Sequence, residues 1–436
     1  MLTITIPSNN VEARRYVIQT VFKNFLGLDC SIKDESSNTT IIRWDDKSII
    51  FKDVFWNAGG ISISNLPNVV YSRNVFVSEE DIPILYGDSS LNVDDNIIEC
   101  GIDFFASIFF MLSRWEEYEV RERDCFNRFV GKESIAFKFG FLKRPVVNEY
   151  IEMLWNMMTH LGYDGKRLER KFEIVPTHDI DIPYMRGRFV RISKEIVRSI
   201  ISFDLKSLPF LILGYLRDPY NTYDFLMGVS EKIGVRSHFY FMSSDDIITE
   251  DRESPYLTKH TANIVKKIRR RGHVVGFHPG YFSVESSSNW HKEKEHITNF
   301  LGFAPVEGRQ HYLRFKMPET FSYWESNNMQ IDSTLSYHDV EGFRCGTGDL
   351  FPVFDFINNI EYNLREHPLV IMDATFTDYQ GYTLEKISEI LDYYIGVAKK
   401  YRMSLTLLFH NTSFMGYKGY MLKRIYKKIL NGITIL

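Results

Sequence analysis

The chain has 436 residues, with 52 Lys and Arg against 56 Asp and Glu, 44% hydrophobic and 25% charged residues, and a net charge of −4. That composition excludes disordered and collagen-like chains, and basic residues scattered through a near-neutral sequence give no electrostatic footprint for a nucleic-acid backbone. At one domain per roughly 100–200 residues, the length suits two domains, or one large barrel with an added module, each able to bury a core.

The start, MLTITIPSNNVEARRY, has neither a basic stretch leading into an apolar run nor a small-residue cleavage site, so a cytoplasmic location is expected. Cys30, Cys100, Cys125 and Cys345 are widely spaced and never paired as C-x-x-C, which reads as reduced structural thiols. Short β-type runs at 2–6, 40–44 and 48–55 accompany one helical segment over 11–26, whose apolar residues return every three or four positions. This is an α+β pattern. Over 102–118, Phe105, Phe109 and Leu112 share one helical face and Arg114, Glu116 and Glu117 turn towards another, which predicts an amphipathic helix ending in charge, its aromatics read as plain core. A helix over 147–160 follows Pro145, and LGYDGKRLERK at 161–171 is the candidate linker, dividing the chain into 1–166 and 167–436.

From Phe172 the rhythm changes. Apolar runs at 172–175, 237–242, 273–277, 370–372 and 405–409 alternate with helical segments such as 222–233 and 384–401. Strand–helix–strand repetition predicts a parallel sheet closed into a barrel, with an active site at the carboxyl ends of the strands. The run LPFLILGYL at 208–216 falls far short of the roughly 18 residues that span a bilayer and contains Pro209 and Gly214, so it reads as a buried or surface-lying helix.

Polar groups fall where the runs end. In FEIVPTHDIDIP, strand alternation puts Thr177, Asp179 and Asp181 on one side and His178 on the other. Two such carboxylates suit metal chemistry, one holding an ion and the other taking a proton from water; the same pair would also cap a turn before Pro183. RRGHVVGFHPGY ends in His278, EGRQHYLRF sets Arg309 and His311 on one face if extended, and LLFHN ends in His410. The combination is more specific than any member.

These strings resemble the polysaccharide deacetylase family (carbohydrate esterase family 4), in the branch marked by THDID, GFHP, RQHYLRF and DSTLSY…GFR that accompanies surface-polysaccharide biosynthesis. The resemblance covers about 172–412, and SIFFMLSRWEEY with RFVGKESIAFKFGFL resembles that branch's uncharacterised N-terminal domain. It implies an α/β fold, a distorted (β/α)7 barrel with a smaller α+β N-terminal domain, and a divalent metal, zinc foremost. By position Asp179 resembles the general base, Asp181 and His278 metal ligands, Arg309 the group orienting the base, Tyr312 the backbone oxyanion donor and His410 the general acid. The family's second metal histidine is replaced by Phe282, and a catalytic zinc generally needs three protein ligands. His311 is the candidate third; packing or substrate binding is its alternative role, and His178 and His338 are poorer choices. Asp332 and Asp373 are candidates for fixing Arg309 or His410, each equally readable as a capping or turn residue.

Tyr220, Tyr281 and Arg344 are candidate substrate contacts, although DPYNT at 218–222 also reads as a turn whose Thr222 caps a helix. The expected partner is an N-acetylated sugar or glycan, free or lipid-linked, and the basic LKRIYKKIL suits either peripheral contact with an anionic membrane or a solvated helix face. The expected function is zinc-dependent removal of N-acetyl groups from a surface glycan under assembly. The alternatives are a catalytically silent glycan-binding or scaffolding relative, which Phe282 would mark, and an O-acetyl esterase.

Overall fold

The structure, a computed structural model, describes residues 2–185, 187–243 and 256–431. Its first part contains β1 (Thr3–Pro7), β2 (Ser31–Glu35), β3 (Thr39–Trp44), β4 (Lys47–Lys52), β5 (Val70–Ser72), β6 (Ile82–Ile84), β7 (Gly87–Val93) and β8 (Ile97–Ile102). Six of them form a sheet in the order β2-β1-β3-β4-β8-β7, and β5 pairs with β6. The helix predicted over 11–26 forms as Val11–Gln19 and continues, more widely wound, as Thr20–Leu26. The β7–β8 hairpin had no signal in the sequence, because GDSSLNV is almost wholly exposed and carries no apolar alternation.

The helix predicted over 102–118 has its aromatics in the core as expected but differs in its other faces. It spans Phe104–Ser113 and is buried on every side, so it is a core helix rather than an amphipathic one. Asp103 caps it, accepting from the Ala106 N–H at 3.2 Å and from Val54 and Phe55. The charged end also lies inside. Arg114 reaches Glu117 at 2.9 Å and Glu116 at 2.8 Å, and Arg344 reaches Glu117 at 2.9 Å, so each buried charge finds an opposite partner.

The second part contains β9 (Glu173–Ile180), β10 (His238–Met242), β11 (Val274–His278), β12 (Glu307–Gly308), β13 (Ile331–Asp332), β14 (Phe351–Asp355), β15 (Ile360–Glu366), β16 (Leu369–Met372) and β17 (Ser404–Leu408). They form one curled sheet in the order β14-β15-β13-β12-β11-β10-β9-β17-β16, parallel except for β14. The sequence predicts a closed barrel; among the described residues the ring stays open, with β14 and β16 as its two edges and β15 and β16 not paired with each other. Only His367 and Pro368 join those two strands, and a parallel neighbour needs a crossover of roughly a dozen residues. β16 therefore starts the opposite edge, beside β17.

Both sheets contribute to one continuous apolar core. Tyr16 stacks on Phe354 at 4.7 Å and donates to the Pro352 carbonyl at 2.8 Å, tying the first helix to β14. No helix among the described residues is long and apolar enough to cross a membrane.

Candidate active site

Parallel register brings the polar strand ends together. Asp179 lies opposite Tyr240, Met242 opposite His278, and Phe277 opposite Gly308. At Gly308 a Cβ would sit 1.9 Å from the Phe277 carbonyl oxygen, so only glycine lets the chain pass that close and deliver Arg309 to the site. As parity predicts, His178 points away: it is buried, its Nδ1 is 2.7 Å from the Phe409 carbonyl, and its ring packs on Phe239.

Asp181, His278 and His311 present ligand atoms that all lie within 4.8 Å of one another. Asp181 Oδ1 is 3.3 Å from His278 Nε2 and 3.8 Å from His311 Nε2. Tetrahedral bonds of about 2.0–2.1 Å place neighbouring ligand atoms about 3.3 Å apart, so both spacings from Asp181 are near what a zinc-sized cation needs. Asp181 Oδ1 is also a buried acceptor without an aligned donor. His278 Nδ1 is 2.6 Å from the Arg309 carbonyl, a contact that makes it the protonated nitrogen and leaves the Nε2 lone pair facing Asp181. Burial pushes the His311 ring down to about 4, so it stays neutral and able to ligate. Burial alone would raise the Asp181 carboxyl, but His278, His311 and His410 outweigh it and hold the group well below the usual carboxylate range.

Two further pairs flank this cluster. Asp179 accepts from Arg309 Nη1 at 2.8 Å through Oδ1, and its Oδ2 lies 3.9 Å from His278 Nε2. Arg309 is wholly buried and immobilised by Thr177 and by the carbonyl and hydroxyl of Ser333, at 2.7–2.9 Å. His410 Nδ1 is 2.7 Å from Asp373 Oδ1, and its Nε2 is 3.7 Å from Asp181 Oδ2. Burial lowers the His410 pKa, yet Asp373, then Asp181 and Asp179, outweigh it and push the ring up to about 10. Asp373 is thus the partner of His410. Asp332 instead binds Thr334, whose hydroxyl accepts the Gln310 N–H at 2.9 Å ahead of His311.

Arg309 and His311 meet at the site by a route other than a continuous strand. β12 has two residues, and His311–Leu313 forms a tight turn in which Tyr312 and Leu313 are left-handed, with φ 60° and 55°. Two such non-glycine residues in succession cost on the order of 1–3 kcal/mol each, so their surroundings must hold them. Part of that support is Arg128, which no local pattern singles out. Its Nη1 donates to the Tyr312 carbonyl at 3.2 Å and its Nη2 to Tyr379 at 3.1 Å, while Asp124 balances its charge at 2.7 Å. Arg128, Tyr312 and Lys418, with Asp179, Asp181, His278, His311 and His410, line a cavity of about 520 Å³.

Three expected substrate contacts are not among the residues lining that cavity, although the Tyr281 ring meets that of Tyr312 edge-on at 5.6 Å. Tyr220 packs in a separate apolar cluster with Met185, Ile192 and Leu211, and DPYNT is a turn whose Thr222 hydroxyl donates to the Asn411 carbonyl instead of capping its helix. Tyr281 stacks under Arg314 at 4.0 Å, outside the cavity lining. Arg344 is consumed by its buried pair with Glu117. Phe282 is half-exposed, and His338 sits 3.2 Å from Asp124.

The sequence profile of a family of unknown function (DUF7033) matches residues 2–163. No curated protein matches the chain. Among solved structures it is similar to a protein described as a polysaccharide deacetylase from Mycobacterium smegmatis, at 15% identity over 61% of this chain and 86% of that one, TM-score 0.40. It is similar to Puue allantoinase at 11% identity, with 61% and 86% covered and a TM-score of 0.40. A family 4 carbohydrate esterase from Streptomyces lividans, solved with acetate, gives 10% identity, 49% and 82% covered and a TM-score of 0.28.

Proposed function

We propose that the chain is a cytoplasmic, metal-dependent hydrolase that removes N-acetyl groups from a sugar of a surface glycan under assembly. The carrying observation is the convergence of Asp181, His278 and His311 on one centre between the Asp179–Arg309 and Asp373–His410 pairs. A divalent ion held by those three, zinc by its donor set of two imidazoles and a carboxylate, supplies Lewis acidity to the attacking water and the amide carbonyl. Asp179 takes the water's proton through Oδ2, its other oxygen being fixed by Arg309. The Tyr312 N–H, in its left-handed turn, serves the oxyanion; losing one such donor typically costs about 3 kcal/mol. His410, charged by Asp373, gives its proton to the leaving amine.

Metal analysis joined to an acetate-release assay tests this reading. About one zinc per chain, lost in His278→Ala, and acetate release from N-acetylated sugars that Asp179→Asn abolishes are expected. Protein that binds no zinc, or a fully active Asp179→Asn, would remove it, whereas release from O-acetylated sugars alone would reassign the bond.

A further inference from the structure

Of the 27 large apolar side chains exposed among the described residues, ten lie between Phe189 and Leu216. This stretch is a helical hairpin, Arg188–Ile201 and Leu208–Leu216, crossing closely where a Cβ on Gly214 would meet Ile192 at 2.7 Å. Only one side of it faces the protein: Ile192 and Leu211 pack with Met185 and Met415. At about 100° per residue, Phe189, Val190, Val197, Ile200 and Ile201 fall within an arc of about 120° that points to solvent. Lys194 and Arg198 follow along its edge, and Phe203, 86% exposed, stands at the tip.

Charge says what covers this face. Residues 188–217 hold six Lys or Arg against Glu195 and Asp204. The helix Gly416–Asn431, which packs against the hairpin through Phe210 and Tyr420 at 4.8 Å, holds five Lys or Arg and no acid. The two abutting elements carry a net +9 in a chain whose net charge is −4. A protruding apolar wedge with cationic flanks, rather than a groove, is the pattern of a helix lying in a membrane interface.

We propose that the 188–216 hairpin docks on an anionic lipid bilayer, its apolar arc entering the interface and its basic edge, with the Gly416–Asn431 helix, meeting the headgroups. Met415 packs on the hairpin and also lines the catalytic cavity, so docking holds that cavity at the lipid surface. The surface argument does not depend on the hydrolase reading, and its test reads no activity.

The test is co-flotation of the full chain with vesicles of phosphatidylcholine alone or mixed with phosphatidylglycerol. Binding to the mixed vesicles, on the order of ten-fold stronger than to phosphatidylcholine alone and reduced by salt, is expected. Ile200→Ser, Ile201→Ser and Phe203→Ser together should weaken it by at least about ten-fold while leaving the melting temperature and zinc content unchanged, because all three side chains are solvent-exposed. Equal binding by the triple variant overturns the proposal. So does a folded wild type that ignores anionic vesicles, including one that instead self-associates through this face.

Discussion

Replacing His311 by alanine probes the step on which the catalytic reading turns, because in the proposed centre His311 is the third ligand beside Asp181 and His278. His311 Nε2 lies 3.8 Å from Asp181 Oδ1, close to the spacing that two ligands of one ion require, and its ring is held neutral. Structural zinc sites with four protein ligands bind with about 10–16 kcal/mol, so one ligand is worth about 3 kcal/mol, or on the order of a hundred-fold in affinity. Titration of zinc against a chromophoric chelator near neutral pH measures this directly. His311→Ala should bind zinc on the order of a hundred-fold more weakly than wild type with little change in melting temperature of the metal-free protein. His338→Ala, which alters a histidine beside Asp124 outside the cluster, should bind as wild type does. Wild-type affinity in His311→Ala would show that the ring is no ligand, and the three-residue centre would be refuted.

Arg128→Ala frees the Tyr312 peptide without touching a ligand, so steady-state kinetics should show kcat reduced on the order of ten- to a hundred-fold at unchanged zinc content, partly rescued by added guanidinium. Burial raises the Glu117 pKa, but Arg344 and Arg114 outweigh it and hold the group at about 2; Glu117→Gln should therefore cost about 3 kcal/mol in denaturant unfolding at neutral pH, where that stabilisation is fully present. Burial pushes His178 down to about 4, so the unfolded chain binds more protons between roughly pH 6.5 and 4, and stability falls by up to about 3 kcal/mol as pH drops through that window. Asp103, pushed up to about 7, acts in the opposite sense between roughly pH 3.8 and 7, so the readout is the comparison: His178→Leu should flatten the acid limb of the unfolding curves relative to wild type.

Strand parity and apolar rhythm carried the first-order information. Alternation along FEIVPTHDIDIP separates Asp179 from His178 whatever packs around them, and the parallel sheet follows from the spacing of its apolar runs. Contacts between distant segments left no such trace. Arg114 and Glu117 look like a solvated helix end until Arg344, 227 residues away, closes the cluster. Arg128 reaches Tyr312 across 184 residues, and nothing in RFVGKE announces that. The open ring has a local cause, the two-residue link between β15 and β16, but its consequence appears only once both strands are placed. His311 reaches the site through a left-handed turn, so the face shared with Arg309 did not require an extended segment.

The N-terminal layer is built into the site as well as covering the curled sheet. Expressed without residues 1–166, the remainder would leave Arg344 without Glu117, lose the Arg128 bond that supports the Tyr312 turn, and expose Phe354, on which Tyr16 stacks. Leaving one partner of a buried ion pair alone costs about 3–5 kcal/mol, a large share of the 5–15 kcal/mol by which a domain is stable. Residues 167–436 alone should therefore lack a cooperative melt, and co-expression with 1–166 should restore both the melt and the zinc. A fragment that melts cooperatively and binds zinc as the whole chain does would show instead that the first 166 residues only lean against a self-sufficient second unit.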